Sequence, residues 1–368
     1  MSISAIVLAA GQGTRMRSER PKPLHVICGR PMVLHVLHAL EGMQIERTVV
    51  VVGHGAQRVT QRVQADCPPT LHVAFMEQRV QRGTGDAVMV GMTAFADDDL
   101  DDSSTVLIVP GDTPLLRPET LARLVAFHEA GGHGATILAA HMAEPTGYGR
   151  LVRNKHGLVA RVVEEADATP EERAIQEVNT SIYCFRRDLL GPALRRVSPD
   201  NTQGEYYLTD VIAVLHDTGH GVDAFTIQDA EEVQGVNDRW QLALAERELR
   251  RRINRAWLLE GVTMLDPRQT FIDATVRLGR DVTLYPGTIL QGATVVGDGC
   301  EIGPDSRIVD SRIGDGAVVE HAVVRESTVG ARSHVGPYAV LEPGTVLRSD
   351  TVTGAFYTGT GRRAEAQE

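Results

Sequence analysis

The sequence predicts an α/β protein: a mainly parallel sheet with helices on both faces, followed by a short parallel coil of six-residue repeats. Two observations carry the prediction. Up to about Asn237, strand-length apolar runs alternate with helical patterns. Past Gly261 the apolar period changes to six. The expected organisation is a first domain over 1–237, a connecting helix over 238–260, the coil over 261–355 and a polar tail over 356–368.

Residues 3–10 read as a strand that ends in Gly11-Gln12-Gly13. A helix is expected over 32–40, then a strand over 48–52. Residues 106–109 form another apolar run, which stops at Pro110-Gly111-Asp112 and leads into a helix over 118–129 with Glu119 in its first turn. Strands separated by helices imply parallel pairing, and such sheets bind ligands beyond the carboxyl ends of their strands. Residues 240–259 are helical in pattern. Leu242, Leu249, Ile253 and Trp257 share one face, and Arg250, Arg251, Arg252 and Arg255 populate much of the rest. That describes a solvated helix with one buried stripe; an arm for nucleic acid is the alternative.

In the last third, Leu278, Leu284, Leu290, Val296, Ile302 and Ile308 recur every six residues, and Ile313, Val319, Val324, Val329, Val335, Leu341 and Leu347 continue at five or six. One inward aliphatic residue per six fits a coil with three flat sides, with glycine and other turn formers at the corners. An antiparallel sandwich would alternate with period two instead. The flat faces and open end of so short a coil need covering, so a homo-oligomer, a trimer, is expected.

Composition excludes several classes. Of 368 residues, 37 are Lys or Arg and 48 Asp or Glu, a formal charge of −11. So acidic a chain is unsuited to nonspecific nucleic-acid binding, which runs on surplus cations. No apolar run approaches the ~20 residues that cross a bilayer, and the N-terminus lacks a basic segment followed by a long apolar core. The four cysteines, Cys28, Cys67, Cys184 and Cys300, form no CxxC pair. Reduced thiols in the cytoplasm are expected. The run Asp97-Asp98-Asp99-Leu100-Asp101-Asp102 reads as a solvated acidic loop rather than a metal cluster, and residues 362–368 as a frayed end.

The sharpest motif is Leu8-Ala9-Ala10-Gly11-Gln12-Gly13-Thr14-Arg15-Met16, followed by Pro21-Lys22. Glycines at a strand end let backbone N–H groups approach an anion. No Gly-Lys-Ser/Thr follows, so this is not a P-loop, and Met16 stands where a dinucleotide fingerprint has its third glycine. Two cations beside a glycine loop suit a triphosphate under attack at its α-phosphorus. A tight strand–helix turn with two surface cations is the alternative.

This motif resembles the signature of the sugar-1-phosphate nucleotidyltransferases. Further stretches narrow the resemblance: Gln78 with Gly83-Thr84-Gly85, Pro110–Leu116 as a Pro-Gly-Asp-Thr-Pro-Leu-Leu run, Pro145-Thr146-Gly147-Tyr148-Gly149-Arg150, Val163-Glu164, Glu177-Val178-Asn179-Thr180, Glu205-Tyr206-Tyr207-Leu208-Thr209-Asp210 and Gly235-Val236-Asn237. In that order they resemble the N-acetylglucosamine-1-phosphate uridyltransferase half of the bacterial bifunctional uridyltransferase and acetyltransferase. The resemblance implies a Rossmann-like nucleotidyltransferase domain followed by a left-handed parallel β-helix. It implies that UTP and N-acetylglucosamine 1-phosphate give a nucleotide sugar and pyrophosphate with Mg²⁺. Under it Arg15 and Lys22 are catalytic. Leu8, Ala10, Gly11, Gly13, Gln78, Gly83 and Thr84 bind the nucleotide, and Gly149, Glu164, Asn179 and Thr180 the sugar. Asp112 and Asn237 hold Mg²⁺. Physical chemistry agrees for Asp112, which follows a strand's carboxyl end; Mg²⁺ needs few protein oxygens when phosphate and water supply the rest. A turn-capping carboxylate is the alternative for Asp112, a helix N-cap for Asn237, and a surface carboxylate for Glu164.

The chain also departs from the family pattern. Asp86 stands where histidine is expected, Pro110 precedes the Gly-Asp pair, and Glu342 replaces an arginine in Leu341-Glu342-Pro343-Gly344. The catalytic histidine and acetyl-CoA coils of the acetyltransferase have no counterpart, so no acetyl transfer is expected. The competing readings are a nucleotidyltransferase for another sugar phosphate or nucleotide, and a non-catalytic oligomeric sensing subunit. Retention of Arg15, Lys22, Asp112 and Asn237 argues against the last.

Overall fold

The computed structural model describes residues 2–95 and 104–360. The acidic run over 97–102 and the end over 362–368 lie outside them. The chain divides into two compact units, Met1–His25 with Pro31–Leu242, and Val26–Arg30 with Ala243–Glu368.

The first unit is built on one sheet of nine strands. In chain order these are β1 (Ile3–Ala9), β2 (Ile45–Val52), β3 (Val73–Glu77), β4 (Thr105–Pro110), β5 (Ala135–His141), β6 (Gly149–Arg153), β7 (Val159–Val163), β8 (Glu177–Arg186) and β9 (Val222–Ile227). The spatial order is β9-β5-β8-β4-β1-β2-β3, with β6 and β7 forming a side flap on β8. Pairing is parallel from β4 through β1 and β2 to β3, and between β5 and β9. The long strand β8 runs antiparallel to its neighbours β4 and β5. The sheet is thus parallel where the glycine loop leaves it.

Burial explains the continuous apolar runs, because the central strands pack on both faces. Ala5 and Val7 of β1 and Val50 of β2 face a layer that includes α1 (Met32–Leu40), α2 (Ala56–Asp66) and α4 (Pro118–Gly131). Ile6, Val49 and Val51 face the opposite layer, with α3 (Thr84–Met92), α6 (Arg187–Leu194) and α7 (Asp210–Asp217); α5 is a single turn at Pro170–Arg173 on the flap side. Helix α1 has the expected limits, while β2 begins three residues earlier and α4 runs two residues longer than the pattern implied.

In the second unit, two- and three-residue strands stack into three parallel sheets of five, six and five strands, the arrangement of a left-handed β-helix. The six-residue positions meet in columns: Leu284 over Ile302, Ile302 over Val319, and Val319 over Val335. From Leu284 to Leu341 every predicted inward residue is buried, whereas Leu278 near the start of the coil is only half-buried. Helix α8 (Arg239–Leu259) precedes the coil. Its buried stripe differs from the expected one: Ile253 and Trp257 are partly buried on the coil's core, but the deepest residue at that end is Asn254. Its amide nitrogen donates to the carbonyls of Pro267 and Thr270, so a polar group anchors the helix.

The segment Val26–Arg30 lies early in the chain yet belongs to this second unit. Cys28 N–H donates to Glu246 Oε2 at 2.7 Å, and Cys28 O accepts from Ala274 N. Gly29, at φ +78°, lies so close to Asp273 that a Cβ would overlap its carboxyl group. Periodicity carries no trace of such a long-range excursion.

Candidate active site

The site assembles at the carboxyl ends of β1, β2 and β4, within the first unit. Strand β1 delivers Leu8, whose carbonyl accepts from Gly111 N at 2.8 Å. Ala10 follows, and its carbonyl accepts from His54 N. Gly11 is exposed, with open space around the position of a Cβ. Gly13 is different: it sits at φ +63°, and a Cβ there would lie 2.6 Å from Cβ of Lys22. The loop therefore turns back so that Lys22 packs on Gly13. Arg15, in the 3₁₀ turn Thr14–Met16, is exposed.

Lys22 projects toward the end of β4. Its ammonium makes a short ion pair with Asp112 Oδ2 and donates to Asn237 Oδ1 at 2.7 Å. The backbones agree, since Val236 N donates to Asp112 O at 2.9 Å. Asn237 is not the cap of α8. Asp238 Oδ1 takes that role by accepting from Gln241 N, which leaves the Asn237 amide oxygen to Lys22. Nor does Asp112 cap its own turn: Thr113 Oγ1 bonds Pro110 O there, and the Asp112 carboxylate faces Lys22.

Tyr148 joins this corner although its motif alone assigns it no role. Its phenol is largely buried beside Asp112 and Gly235. Burial pushes the phenol pKa up, the Gly235 backbone contact counters this, and the Asp112 carboxylate adds to the rise. The next residue, Gly149, pairs with Asn179 across β6 and β8. A Cβ at Gly149 would meet Val162 at 3.0 Å and Val163 O at 3.4 Å, so the end of β7, which Glu164 follows, passes directly against it. Arg150, buried behind this loop, pairs with Glu165 at 2.7 Å and donates to Tyr148 O.

Glu164 accepts from Thr209 Oγ1 at 2.9 Å and is mostly buried. Desolvation raises its carboxyl pKa; the Thr209 bond opposes this, while Asp210 and Asp167 reinforce it. Glu164 is thus no surface carboxylate. Asn179 is buried, with its side-chain oxygen accepting from Ser181 N. The hydroxyl of Thr180 is committed to Leu138 O inside the sheet at 2.7 Å, which leaves only its oxygen as an acceptor.

The loop after β3 completes the circuit. Gln78 is buried, and its side-chain nitrogen donates to Gly83 O and Asp86 Oδ2. Gly83, at φ +110°, lies where a Cβ would fall 2.5 Å from Tyr206 O. Thr84 Oγ1 accepts from Leu208 N at 3.0 Å. The stretch Tyr206–Thr209 therefore joins the Gly83 loop to Glu164. Gln81 links Gln78 to the Gly53 turn beside Ala10. All fifteen predicted residues belong to one unit. Direct contacts bring Gly13, Lys22, Asp112 and Asn237 together, and Gln78 with Gly83. Arg15 makes no ion pair with any of them.

Among the described residues no group of three or more His, Cys, Asp or Glu is arranged to hold a metal. The site offers instead one carboxylate and one amide oxygen converging on a single cationic point, which the Lys22 ammonium fills. That sparse oxygen set suits Mg²⁺, which keeps phosphate and water oxygens as its other ligands.

Residues 5–263 match the family model of the MobA-like NTP transferase domain. Three curated relatives carry the description bifunctional protein GlmU. That of Halalkalibacterium halodurans is 43% identical over 352 residues, covering 96% of this chain and 75% of its own length. The Alkaliphilus oremlandii protein is 44% identical, covering 97% and 76%. The Thermobifida fusca protein is 47% identical over 327 residues, covering 89% and 67%.

Proposed function

This chain belongs to the GlmU family and is a nucleotidyltransferase, and from that premise we propose that it joins UTP and N-acetylglucosamine 1-phosphate to give UDP-N-acetylglucosamine and pyrophosphate. The observation that carries the proposal is the meeting of Lys22, Asp112 and Asn237 beside the glycine loop. A scaffold or sensing subunit has no use for it.

Asp112 and Asn237 would hold Mg²⁺, which when bound neutralises charge on the phosphates and the departing pyrophosphate. The exposed backbone at Gly11–Arg15 receives the triphosphate. Lys22 and Arg15 balance the charge that builds as a sugar-phosphate oxygen attacks the α-phosphorus in line and the bond to pyrophosphate breaks. Gln78, Gly83 and Thr84 hold the base; Gly149, Glu164 and Asn179 hold the sugar. No covalent enzyme intermediate forms, and positioning supplies much of the rate.

Acetyl transfer is outside the proposal. Glu342 puts a carboxylate, 3.9 Å from Arg325, where the resemblance implies an arginine. The coil is proposed to pack as a homotrimer, since Leu265, Val346, Val352 and Phe356 are exposed apolar side chains on it. A cytoplasmic location agrees with four unpaired cysteines. Among the described residues no helix is long and apolar enough to cross a membrane.

The test is pyrophosphate release with each of four nucleoside triphosphates against a panel of sugar 1-phosphates, with and without Mg²⁺. UTP with N-acetylglucosamine 1-phosphate should give the highest kcat/KM, and only with the metal. Preference for another pair would replace the substrate assignment.

A further inference from the structure

The Gln78 side chain is held in one orientation. Its Nε2 lies 3.1 Å from Gly83 O and 2.7 Å from Asp86 Oδ2. A backbone carbonyl and a carboxylate are acceptors only, so the nitrogen must be the atom that faces them. Both of its hydrogens are then committed. Among the described residues nothing donates to Oε1 of Gln78, so the side chain has an acceptor left to offer and no donor.

Gly83 and Asp86 contribute unequally to this. The Gly83 carbonyl is fixed by its backbone, which is wedged against Tyr206. Alone, however, it would occupy one hydrogen and leave the other for a ligand. The second is taken by Asp86, from the first turn of α3.

We propose that Asp86 is a positioning residue that makes Gln78 an acceptor-only reader of the base, and so selects a pyrimidine that carries an N3–H, uracil, over cytosine, whose N3 is itself an acceptor. The inference rests on the assignment of Gln78 to the base subsite made above. Acceptor facing acceptor leaves a desolvated lone pair on each side, and sites built around one hydrogen bond reject ligands that cannot make it.

The experiment compares kcat/KM for UTP and CTP in the wild-type chain, Asp86→Asn and Asp86→Ala, at fixed N-acetylglucosamine 1-phosphate, with thermal melting recorded for each. Asparagine nearly preserves shape but can donate, which lets the Gln78 amide turn over. The ratio of UTP to CTP is expected to fall at least tenfold in both variants, while KM for the sugar phosphate, read in a second series that varies it at saturating UTP, stays within twofold. A change in general stability alone would not move that ratio. A wild-type preference for UTP that survives unchanged in both variants overturns the role of Asp86. A wild-type chain that turns over CTP better than UTP overturns this inference together with the uridyl assignment, so the two failures are told apart by the wild-type measurement.

Discussion

Lys22 and Asn237 stand 215 positions apart in the chain, yet Nζ of one donates to the side-chain oxygen of the other across 2.7 Å. The same ammonium pairs with Asp112. A lysine here occupies the point at which two oxygens would otherwise repel each other, and this gives the first prediction. Removing the carboxylate in Asp112→Ala should lower Mg²⁺-dependent pyrophosphate release by a factor on the order of 10³ or more. Near-normal turnover would refute the metal assignment. In Lys22→Met the ammonium no longer competes for those oxygens. Calorimetric titration without nucleotide should then show tighter Mg²⁺ binding than in the wild type, even though turnover falls on the order of a hundredfold.

Gly13 holds Lys22 in place from beneath. Its φ is +63°, and a Cβ on it would come within 2.6 Å of Lys22 Cβ, which leaves no room for a side chain. Gly13→Ala should cost about 1 to 2 kcal/mol of stability from the left-handed backbone alone. It should also reduce kcat, because the lysine must move. Gly11→Ala, where the space is open, should leave stability nearly unchanged in a denaturant titration. Equal stability losses at the two glycines would contradict this account.

Glu164 predicts a trade of stability for function. Burial raises its pKa in the folded chain, so the folded state binds the proton more tightly than the unfolded one. The protein is then relatively most stable below the unfolded carboxyl pKa and loses that contribution as pH rises through the raised folded value. Glu164→Gln removes the ionisable group. Its melting temperature should exceed that of the wild type at pH 7, and the gap should close as pH falls below about 4.5. KM for the sugar phosphate should rise in the same variant. A gap independent of pH would show that the carboxyl is not desolvated.

His128 carries the opposite sign. It is buried in α4 with Nδ1 2.9 Å from Thr136 Oγ1, and burial, aided by His133 and Arg186, pushes its pKa down to about 4. The folded state favours the neutral ring. Stability from this residue is complete above the unfolded value of 6.5 and is lost as pH falls toward about 4. The full span corresponds to about 3 kcal/mol. His128→Gln should flatten urea-derived stability between pH 7 and pH 5 relative to the wild type, and an unchanged slope would remove His128 as its source.

The coil was legible almost residue by residue, because an inward position in a two-residue strand recurs by covalent spacing alone. Leu284, Ile302, Val319 and Val335 had to stack once the period was six. The placement of the glycine loop and Asp112 just past the carboxyl ends of strands was legible too, since both follow directly on apolar runs of strand length. Several features were not. Tyr148 at the Asp112 corner, Thr209 on Glu164 and Asp86 on Gln78 each depend on a partner from another element. The placement of Val26–Arg30 with the second unit depends on Glu246 and Ala274. Local spacing and side-chain chemistry were enough to say which stretches form strands, helices and coil, and which residue types the chemistry requires. Packing in three dimensions was needed to make Asp238 rather than Asn237 the cap of α8, and to commit the Thr180 hydroxyl inside the sheet. A hydrogen bond is assigned by distance and direction in space, and neither quantity is encoded by position along the chain.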